Sequence, residues 1–530
     1  MKLLKNFDPL SVRLIFIASL SGLIYLFVFT LPFPLTQLYR TIPPVDYAKL
    51  TGYSLAGFVA YVLGLGVLFG LYIWAIRLNM PSYSGRQSAV GGRLIFRSSA
   101  LLAAILIFSY PLTAIDLFIY AIRTRGWALY GLNPLATPPS ALPTTDPWLG
   151  LAAEWVDAPS PYGPAWEILS RAAFYLSGGD FLFHLLALKV VGLLAYLGCT
   201  WLVYQILRRM QPEWAAAGAI AFAWNPLTLL EGIQNAHNDG VMVFFLLAAV
   251  WVLNGGISES ANQRNVPARH SPFAHSLIRH SLVCLLLALS ILVKFITALV
   301  VPFFLLAMIS QQANWRVQLL QIGGYGFLTS GLVIGFMWPL WPGWDKWAVV
   351  QAGGQAGRSL LALLILAFKD VWGVNFTFDL FRNLIYLIFG GIYLFYLWKI
   401  VRSGHWSVVS SQNLATWQLG NLATLLYASF HALFWYVFLV APVFHAWYLL
   451  WFLPLAALLL PQPRPLMAAV VFSITALLVI PYFETIRVWY PVLLQNQLLG
   501  HVLGVPLLLI PPVLALWGWL SIQRFPDSAN

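Results

Sequence analysis

The sequence has few charged residues. Only 9% of its 530 residues are Asp, Glu, Lys or Arg, against about 25% in an average soluble domain, and 60% are apolar. This composition excludes a water-soluble globule, and an aromatic content of 16% excludes a disordered chain. Cysteine is equally rare. Cys199 and Cys284 both lie in apolar runs, which excludes a disulfide framework and a thiolate metal cluster.

Nucleotide-binding motifs are also absent from the sequence. It contains no Walker A loop and no strand–GxGxxG–helix unit, and no polar stretch is long enough to form a soluble nucleotide-binding domain. If the protein is an enzyme, we therefore expect its activated substrate to arrive through the membrane.

Long apolar runs dominate the chain, and runs of about 18 or more residues predict membrane-spanning helices. We expect an all-α, polytopic transmembrane bundle that forms one domain over residues 1–530. Twelve full spans are predicted, at 14–33, 53–76, 98–115, 181–207, 215–230, 240–256, 319–338, 380–401, 417–438, 446–460, 466–482 and 498–520. The N-terminal run lacks a signal-peptide cleavage pattern and is interpreted as a retained first span.

The apolar run 281–308 differs from the others because Lys294 lies at its middle. A lysine at the bilayer centre costs at least about 2.5 kcal/mol. Two short helices that turn near Lys294 avoid this cost, so we predict a helical hairpin here.

Charge asymmetry gives the orientation. With both termini cytoplasmic, the inner segments hold 17 Lys and Arg and 4 Asp and Glu, whereas the outer segments hold 9 and 13. This distribution follows the positive-inside rule. The net charge of +12 therefore indicates topology and contact with a lipid bilayer, and we expect no nucleic-acid partner.

Two outer loops are long, 116–180 and 341–379, and long loops in compact proteins are usually functional. Within them, the segments 164–178 and 359–369 are too short to span a bilayer. We predict that both are helices lying at the outer interface.

Asp116 begins the first long loop, and Arg123 and Arg125 follow within two helical turns. A partly buried carboxylate can act as a general base, and two arginines can hold a phosphate. An intrahelical ion pair at a helix end is the structural alternative. The motif SPYGP at 160–164 predicts a rigid turn that fixes Tyr162 as a candidate sugar or acceptor contact, although a proline also simply starts a helix.

The segment 225–240 joins two predicted spans on the outer face and is unusually polar. Its side chains are of the types that bind hydroxyl-rich ligands such as sugars, and they exceed what a plain turn requires. A structural turn and a metal site remain alternatives, although no metal-ligand spacing accompanies the segment. The candidate sugar or acceptor contacts are Glu231, Asn235, His237, Asn238 and Asp239.

Three further candidates lie elsewhere. Lys294, inside an apolar run, and Arg358, in the glycine-rich stretch QAGGQAGRS, are cations that could meet a phosphate. The segment HAWYLLW at 445–451 offers His445, Trp447 and Tyr448 for stacking on a sugar ring, with a membrane-interface aromatic belt as the alternative.

Together these motifs resemble a known family. Asp116 with Tyr120, ArgXArgGly and GlyLeuAsnPro is similar to integral-membrane glycosyltransferases of the GT-C class. SPYGP, NP–L–EG–NAHND (225–239), VK (293–294), VP (301–302) and HAWYLLW resemble bacterial polyprenol-phosphomannose-dependent alpha-mannosyltransferases. The resemblance implies a GT-C-like fold in the bacterial plasma membrane and a catalytic base at Asp116, with contacts to the substrate at the NAHND segment.

The expected reaction follows from this resemblance. A sugar, mannose by the resemblance, moves from polyprenyl phosphate to an envelope glycan or glycolipid at the outer face, with inversion and Asp116 as general base. Arg123, Arg125, Lys294 and Arg358 are the candidate cations for the donor phosphate, and no cofactor or metal is assigned. Another polyprenyl-phosphate sugar, or a flippase of lipid-linked sugars, is the alternative. The crowding of acids on the outer face, 13 of 17, favours chemistry at that surface over transport.

Overall fold

The computed structural model describes residues 8–81, 91–262, 272–309, 314–344, 347, 356–410 and 414–518, and these residues form helices and no strand. The described residues contain eighteen helices of eight residues or more. They are α1 (Pro9–Thr30), α2 (Leu55–Asn79), α3 (Gly92–Ile107), α4 (Asp116–Tyr130), α5 (Pro164–Leu176), α6 (Phe181–Met210), α7 (Ala215–Ala223), α8 (Pro226–Gln234), α9 (Asp239–Asn262), α10 (Pro272–Val293), α11 (Val301–Met308), α12 (Trp315–Leu340), α13 (Leu360–Trp372), α14 (Val374–Ser410), α15 (Leu414–Trp435), α16 (Ala446–Leu458), α17 (Pro463–Trp489) and α18 (Gln497–Trp517).

Among the described residues, nine helices are long and apolar enough to cross a membrane, and a tenth span results if the bent pair α8 and α9 counts as one. The nine are α1, α2, α6, α10, α12, α14, α15 with its continuation to Val440, α17 and α18. The protein is therefore a multi-pass, all-α membrane protein, as the sequence predicts. The sequence predicts twelve full spans, more than the nine or ten helices that meet these criteria of length and composition among the described residues. The runs 98–115, 215–230 and 446–460 form helices too short to span, or broken ones.

The broken run 215–230 shows why the prediction failed. Asn225 precedes Pro226, and a proline disfavours the helical conformation of the residue before it. Asn225 is extended, with φ −62° and ψ 124°, and its side chain accepts a hydrogen bond from Leu227 N at 2.9 Å. The run consequently becomes two short helices, α7 and α8. The next helix, α9, then leaves α8 at an angle of 116°.

The run 281–308 does break at Lys294, but it is not a hairpin of two short helices. Lys294 is extended, with φ −152° and ψ 123°, and it separates α10 from a 3₁₀ turn that leads into α11. The stretch Ser276–Val293 of α10 is long enough to span by itself. The shorter α11 packs against α14 and α15. Ending α10 before Lys294 removes the amino group from the apolar helix, which is the physical basis that the prediction used.

The main hydrophobic core is formed by buried residues from almost the whole length of the chain, between Leu14 and Leu516. Helix α9 packs against both α6 and α10, and α17 packs against α18. The spanning stretches of α12 and α14 are only 6% and 11% buried within the protein, which leaves their apolar side chains for lipid.

The loop 116–180, predicted to be the first long outer loop, is largely structured. It contains α4, a 3₁₀ segment at Leu149–Trp155, and α5, which packs against α4 and α6. Helix α5 buries Trp166 and Phe174 and exposes Ile168 and Leu176, and α13 exposes Val371 at its end. Both segments predicted to lie at the interface thus form short helices, and α5 leaves large apolar side chains exposed, which suits an interface.

Candidate functional site

A cavity of about 610 Å³ lies where the segment before α4, the helix α8, the segment before α16 and the end of α17 meet. Its lining includes five residues predicted from the sequence to take part in function. They are Asp116, Glu231, Arg358, His445 and Trp447. These residues are far apart in the chain, and the fold brings them to one space of the size that small-ligand sites usually have.

Asp116 is the first residue of α4, where the unpaired N–H groups of a helix favour a negative charge. Its side chain is mostly buried, with 9% exposure. The Tyr162 hydroxyl donates to Asp116 Oδ1 at 3.3 Å, and the Tyr120 hydroxyl donates to the Tyr162 oxygen at 3.3 Å. Two tyrosine hydroxyls in series therefore orient this carboxylate. Tyr162 thus contacts the proposed base, whereas the sequence suggested a contact to sugar.

The SPYGP segment is held in place by close contact with the end of α10. Gly163 N donates to Val293 O at 3.1 Å, and a Cβ added at Gly163 would lie 2.1 Å from Leu292 O. Only glycine permits this approach. In the same turn, the Ser160 hydroxyl donates to Glu167 Oε1 at 2.5 Å. The turn is rigid, as predicted. It places Tyr162 beside both Asp116 and Lys294, the extended residue at which α10 ends.

Lys294 connects the SPYGP turn with the segment 231–239. Its Nζ lies 2.7 Å from Asp239 Oδ1, and the Trp451 indole N–H donates to the same oxygen. Three aromatic rings surround the amino group, with centroids 5.6 Å away for Tyr162 and 5.4 Å away for both Tyr448 and Trp451. Such rings stabilise a cation. The Lys294 amino group is thus paired with Asp239 and enclosed by three aromatic rings.

Glu231 is the second acid at the cavity. The Thr113 hydroxyl donates to Glu231 Oε1 at 2.9 Å, and Asn235 Nδ2 donates to Oε2 at 2.8 Å. His237 Nε2 lies 3.3 Å from the same Oε2. Thr113 lies only three residues before Asp116. The hydrogen bond from Thr113 thus joins the 231–239 segment directly to the segment that carries Asp116.

Asn238 and Asp239 lie deeper and are at most 1% exposed. Within the described part of the chain, both amide atoms of Asn238 and the Oδ2 atom of Asp239 have no hydrogen-bond partner. Buried polar atoms normally find a partner in protein or water. Neither residue lines the cavity, so a buried water is the partner that these atoms call for.

The surroundings of Trp447 differ from the prediction that its ring stacks on a sugar. The imidazole of His237 lies 3.9 Å from its ring centroid at 20°, and that of His445 lies 4.2 Å away at 19°. Two parallel rings at these distances do not fit on one face, so they cover both faces of the indole. Tyr448 in turn stacks on Trp451 at 4.3 Å. Trp447 consequently presents its edge to the cavity, and the predicted stacking of a sugar on this ring is wrong.

Arg358 lies on the cavity wall and pairs with Glu484. Its φ is +53°, a left-handed conformation that is uncommon for residues other than glycine. The guanidinium is 37% exposed, which leaves it accessible to a ligand. Burial, together with the nearby Arg358 charge, lowers the pKa of His445 to about 3. His445 is therefore a neutral hydrogen-bonding group at physiological pH.

Arg123 and Arg125 do not line this cavity, contrary to the prediction that both face a donor phosphate. Arg123 is buried and donates to Ala158 O at 2.9 Å. Arg125 forms an ion pair with Asp146 at 2.8 Å, and its guanidinium lies over the Trp148 ring at 4.6 Å. Their partners are 21 to 35 residues distant in the chain, so the local spacing gave no sign of them. Both arginines stabilise the folded outer loop.

Three contributors were not singled out as site residues from the sequence. Tyr120 follows Asp116 by four residues, and this spacing on a helix placed it within reach of the site. Thr113 and Trp451 gave no comparable signal. No group of three or more His, Cys, Asp or Glu that could hold a metal occurs among the described residues.

These features define a multi-pass membrane protein with a cavity whose lining includes the acids Asp116 and Glu231, an accessible arginine and a neutral histidine. The family model described as "Alpha-(1->6)-mannopyranosyltransferase, N-terminal domain" matches residues 33–310, just over half of the chain. The chain belongs to this family. The match includes Asp116 and the 231–239 segment, and it confirms the resemblance to mannosyltransferases found in the motifs.

A curated relative is alpha-(1->6)-mannopyranosyltransferase B of Corynebacterium glutamicum (strain ATCC 13032). It is 22% identical over 197 residues, which cover 35% of this chain and 32% of the relative. The chain thus matches about a third of that relative's length.

Two solved structures are also similar, both of the Archaeoglobus fulgidus oligosaccharyltransferase. One is the apo form, and the other is a complex of AglB with an inhibitory peptide and a dolichol-phosphate. Each has a TM-score of 0.38 and 12% identity, covers 80% of this chain, and is itself covered to 55% and 56%, respectively.

Proposed function

We propose that the protein is a GT-C-type mannosyltransferase. It moves mannose from a polyprenyl-phosphate donor to a glycan or glycolipid acceptor of the cell envelope, at the outer face of a bacterial plasma membrane. Family membership supports the sugar, and the lack of a nucleotide-binding motif supports a lipid-linked donor. The observation that carries the proposal is that Asp116 and Glu231 line one cavity together with Arg358.

Asp116 is the general base in this proposal. The acceptor oxygen attacks the anomeric carbon, its proton passes to Asp116, and the bond from the anomeric carbon to the phosphate oxygen breaks. Tyr162 and Tyr120 orient the carboxylate, which lies at the N-terminus of α4. Base catalysis of this kind contributes about 10²–10⁴-fold.

A single displacement with one base gives inversion, from a beta-linked donor to an alpha-linked product. Retention needs a second carboxylate as nucleophile. Glu231 suits a binding role better, because Thr113 and Asn235 already donate to both of its oxygens. Its remaining acceptor capacity would hold sugar hydroxyls.

The leaving group is polyprenyl phosphate, whose developing charge needs a cation. Of the four predicted cations, Arg358 is the best placed for this role, because it lines the cavity and its side chain is partly exposed. Lys294 would add positive potential from behind the Tyr162 ring while it stays paired with Asp239.

The test is a transfer assay in nanodiscs. Purified protein receives synthetic polyprenyl-phosphate mannose, glucose, galactose or arabinose together with a short mannoside acceptor, and the product is identified by mass spectrometry and NMR. We expect an alpha-linked product from the mannose donor, and a loss of about 10²–10⁴-fold in kcat for Asp116→Asn.

Asp180→Asn is the matched control, since Asp180 is exposed and caps α6 by accepting from Phe183 N at 2.9 Å. Asparagine caps a helix equally well, so this variant keeps full activity. Wild-type activity in Asp116→Asn would exclude Asp116 as the base. Transfer from another sugar donor alone would exclude mannose as the substrate.

A further inference from the structure

Lys189 lies in the middle of the spanning helix α6 and is fully buried, with 0% exposure. No carboxylate lies within ion-pair distance of it among the described residues. A lysine at such a place is rare and is a functional candidate. Neither the family resemblance nor the proposed mechanism uses it.

Four main-chain carbonyl groups surround the Lys189 amino group, and they come from two separate parts of the chain. Nζ lies 3.4 Å from Leu106 O and 2.9 Å from Ser109 O, at the end of α3. It also donates to Ile233 O at 3.3 Å and to Gln234 O, at the end of α8. Carbonyl groups at a helix C-terminus lack intrahelical partners and carry partial negative charge. One amino group thus binds the ends of two helices.

Both helix ends lie next to residues that line the cavity. The chain after Ser109 reaches Thr113 and Asp116 within seven residues, and Glu231 lies in α8 only two residues before Ile233. Between the two ends, Gln234 Nε2 also donates to Ser109 Oγ at 2.6 Å. Two more hydrogen bonds join the same two segments: the Thr113 hydroxyl donates to Glu231 Oε1 at 2.9 Å, and Asn235 Nδ2 donates to Thr113 Oγ1.

We propose that Lys189 is a positioning residue, which sets the spacing between the Asp116 segment and the Glu231 segment through these four carbonyl groups. Its relevance to sugar transfer rests on the function proposed above. Lys189 contacts no cavity-lining atom, so it acts through the two segments. A displacement of about 1 Å in the reacting groups can lower a rate by about 10²-fold.

The experiment compares Lys189→Met, which has no donor, with Lys189→Gln, which keeps two N–H donors for the carbonyl groups. We expect kcat to fall by about 10²-fold in Lys189→Met and by less in Lys189→Gln, with KM for the lipid-linked mannose donor changed less than threefold. Hydrogen–deuterium exchange is measured in parallel. Faster exchange is expected in the 107–116 and 231–239 segments together and in no other part of the outer face.

Tyr196→Phe is the matched control on the same helix. It removes a buried hydrogen bond of 2.8 Å to Ala223 O without touching either segment. An equal fall in kcat for Tyr196→Phe would show that general loosening of α6 causes the loss, and it would overturn the proposal. Wild-type kcat in both Lys189 variants would overturn it as well. If Lys189→Met does not fold, Lys189→Gln decides by the same criteria.

The exchange measurement separates this proposal from the proposed function. If the wild-type protein transfers no mannose but both segments open together in the variants, the positioning role stands and the function fails. If transfer occurs and neither segment opens in the variants, the positioning role fails alone.

Discussion

The close approach of Gly163 to α10 predicts a large effect from one added methyl group. In Gly163→Ala the new Cβ would lie 2.1 Å from Leu292 O, and it must move by about 1.3 Å to reach ordinary contact near 3.4 Å. The neighbour is main chain at the end of a packed helix, so the SPYGP turn has to move. The hydrogen bond from Gly163 N to Val293 O is lost in that movement.

The displacement of the turn also moves Tyr162 relative to Asp116, the proposed base. Tyr162 precedes Gly163, and its hydroxyl is already 3.3 Å from Asp116, so a shift of this size breaks the contact. We expect kcat to fall by about 10²-fold. Overpacking costs about 1–3 kcal/mol and the lost hydrogen bond about 0.5–1.5 kcal/mol of stability, which lowers the thermal midpoint without unfolding the protein.

The assay is mannose transfer with thermal unfolding measured on the same preparation. Gly70→Ala is the control, because nothing lies within 4 Å of a Cβ at this position in α2. Alanine within a helix stabilises relative to glycine, so this control keeps its activity and loses no stability. A Gly163→Ala protein that is folded and has wild-type kcat would refute the argument that the turn orients Asp116 through Tyr162.

Three further predictions concern the acids, the outer loop and pH. Glu231→Gln removes a charged acceptor worth about 1.5–3 kcal/mol, so kcat/KM falls by about 10–10²-fold in the transfer assay, and an unchanged value would exclude a binding role. Arg125→Met leaves the buried Asp146 unpaired and costs about 3–5 kcal/mol of stability by thermal unfolding, whereas an unchanged KM for the donor separates this loop from phosphate binding. His445 has a folded pKa of about 3 against about 6.5 when unfolded, so stability is lost as the pH falls from about 6.5 towards 3. His445→Gln removes that loss, and an equal decline of the thermal midpoint between pH 7 and 4.5 in both proteins would contradict this pKa.

The helices were predictable wherever one physical rule dominated. Long apolar runs gave the spanning helices, and the cost of a buried charge gave the break at Lys294. The prediction of one spanning helix over 215–230 was wrong at Asn225–Pro226. Backbone geometry there divides an apolar run that hydropathy alone treats as continuous.

The site was predictable as a set of segments but not as a set of contacts. Asp116 and Glu231, the first residue of the polar 231–239 segment, do meet in one cavity. The partner of Arg125 is a distant aspartate, and the rings on both faces of Trp447 come from two segments, one of them more than 200 residues away. Tertiary pairings of this kind carry no local sequence signal.

The most direct test of the proposed mechanism is a structure of the protein in a nanodisc with a non-hydrolysable polyprenyl-phosphate mannose analogue. We predict that the sugar occupies the cavity, with the phosphate beside Arg358. The anomeric carbon is then within roughly 6 Å of the Asp116 carboxylate, which leaves room for one acceptor oxygen between them. A donor head group bound outside this cavity, or turned with its anomeric carbon away from Asp116, would contradict the mechanism.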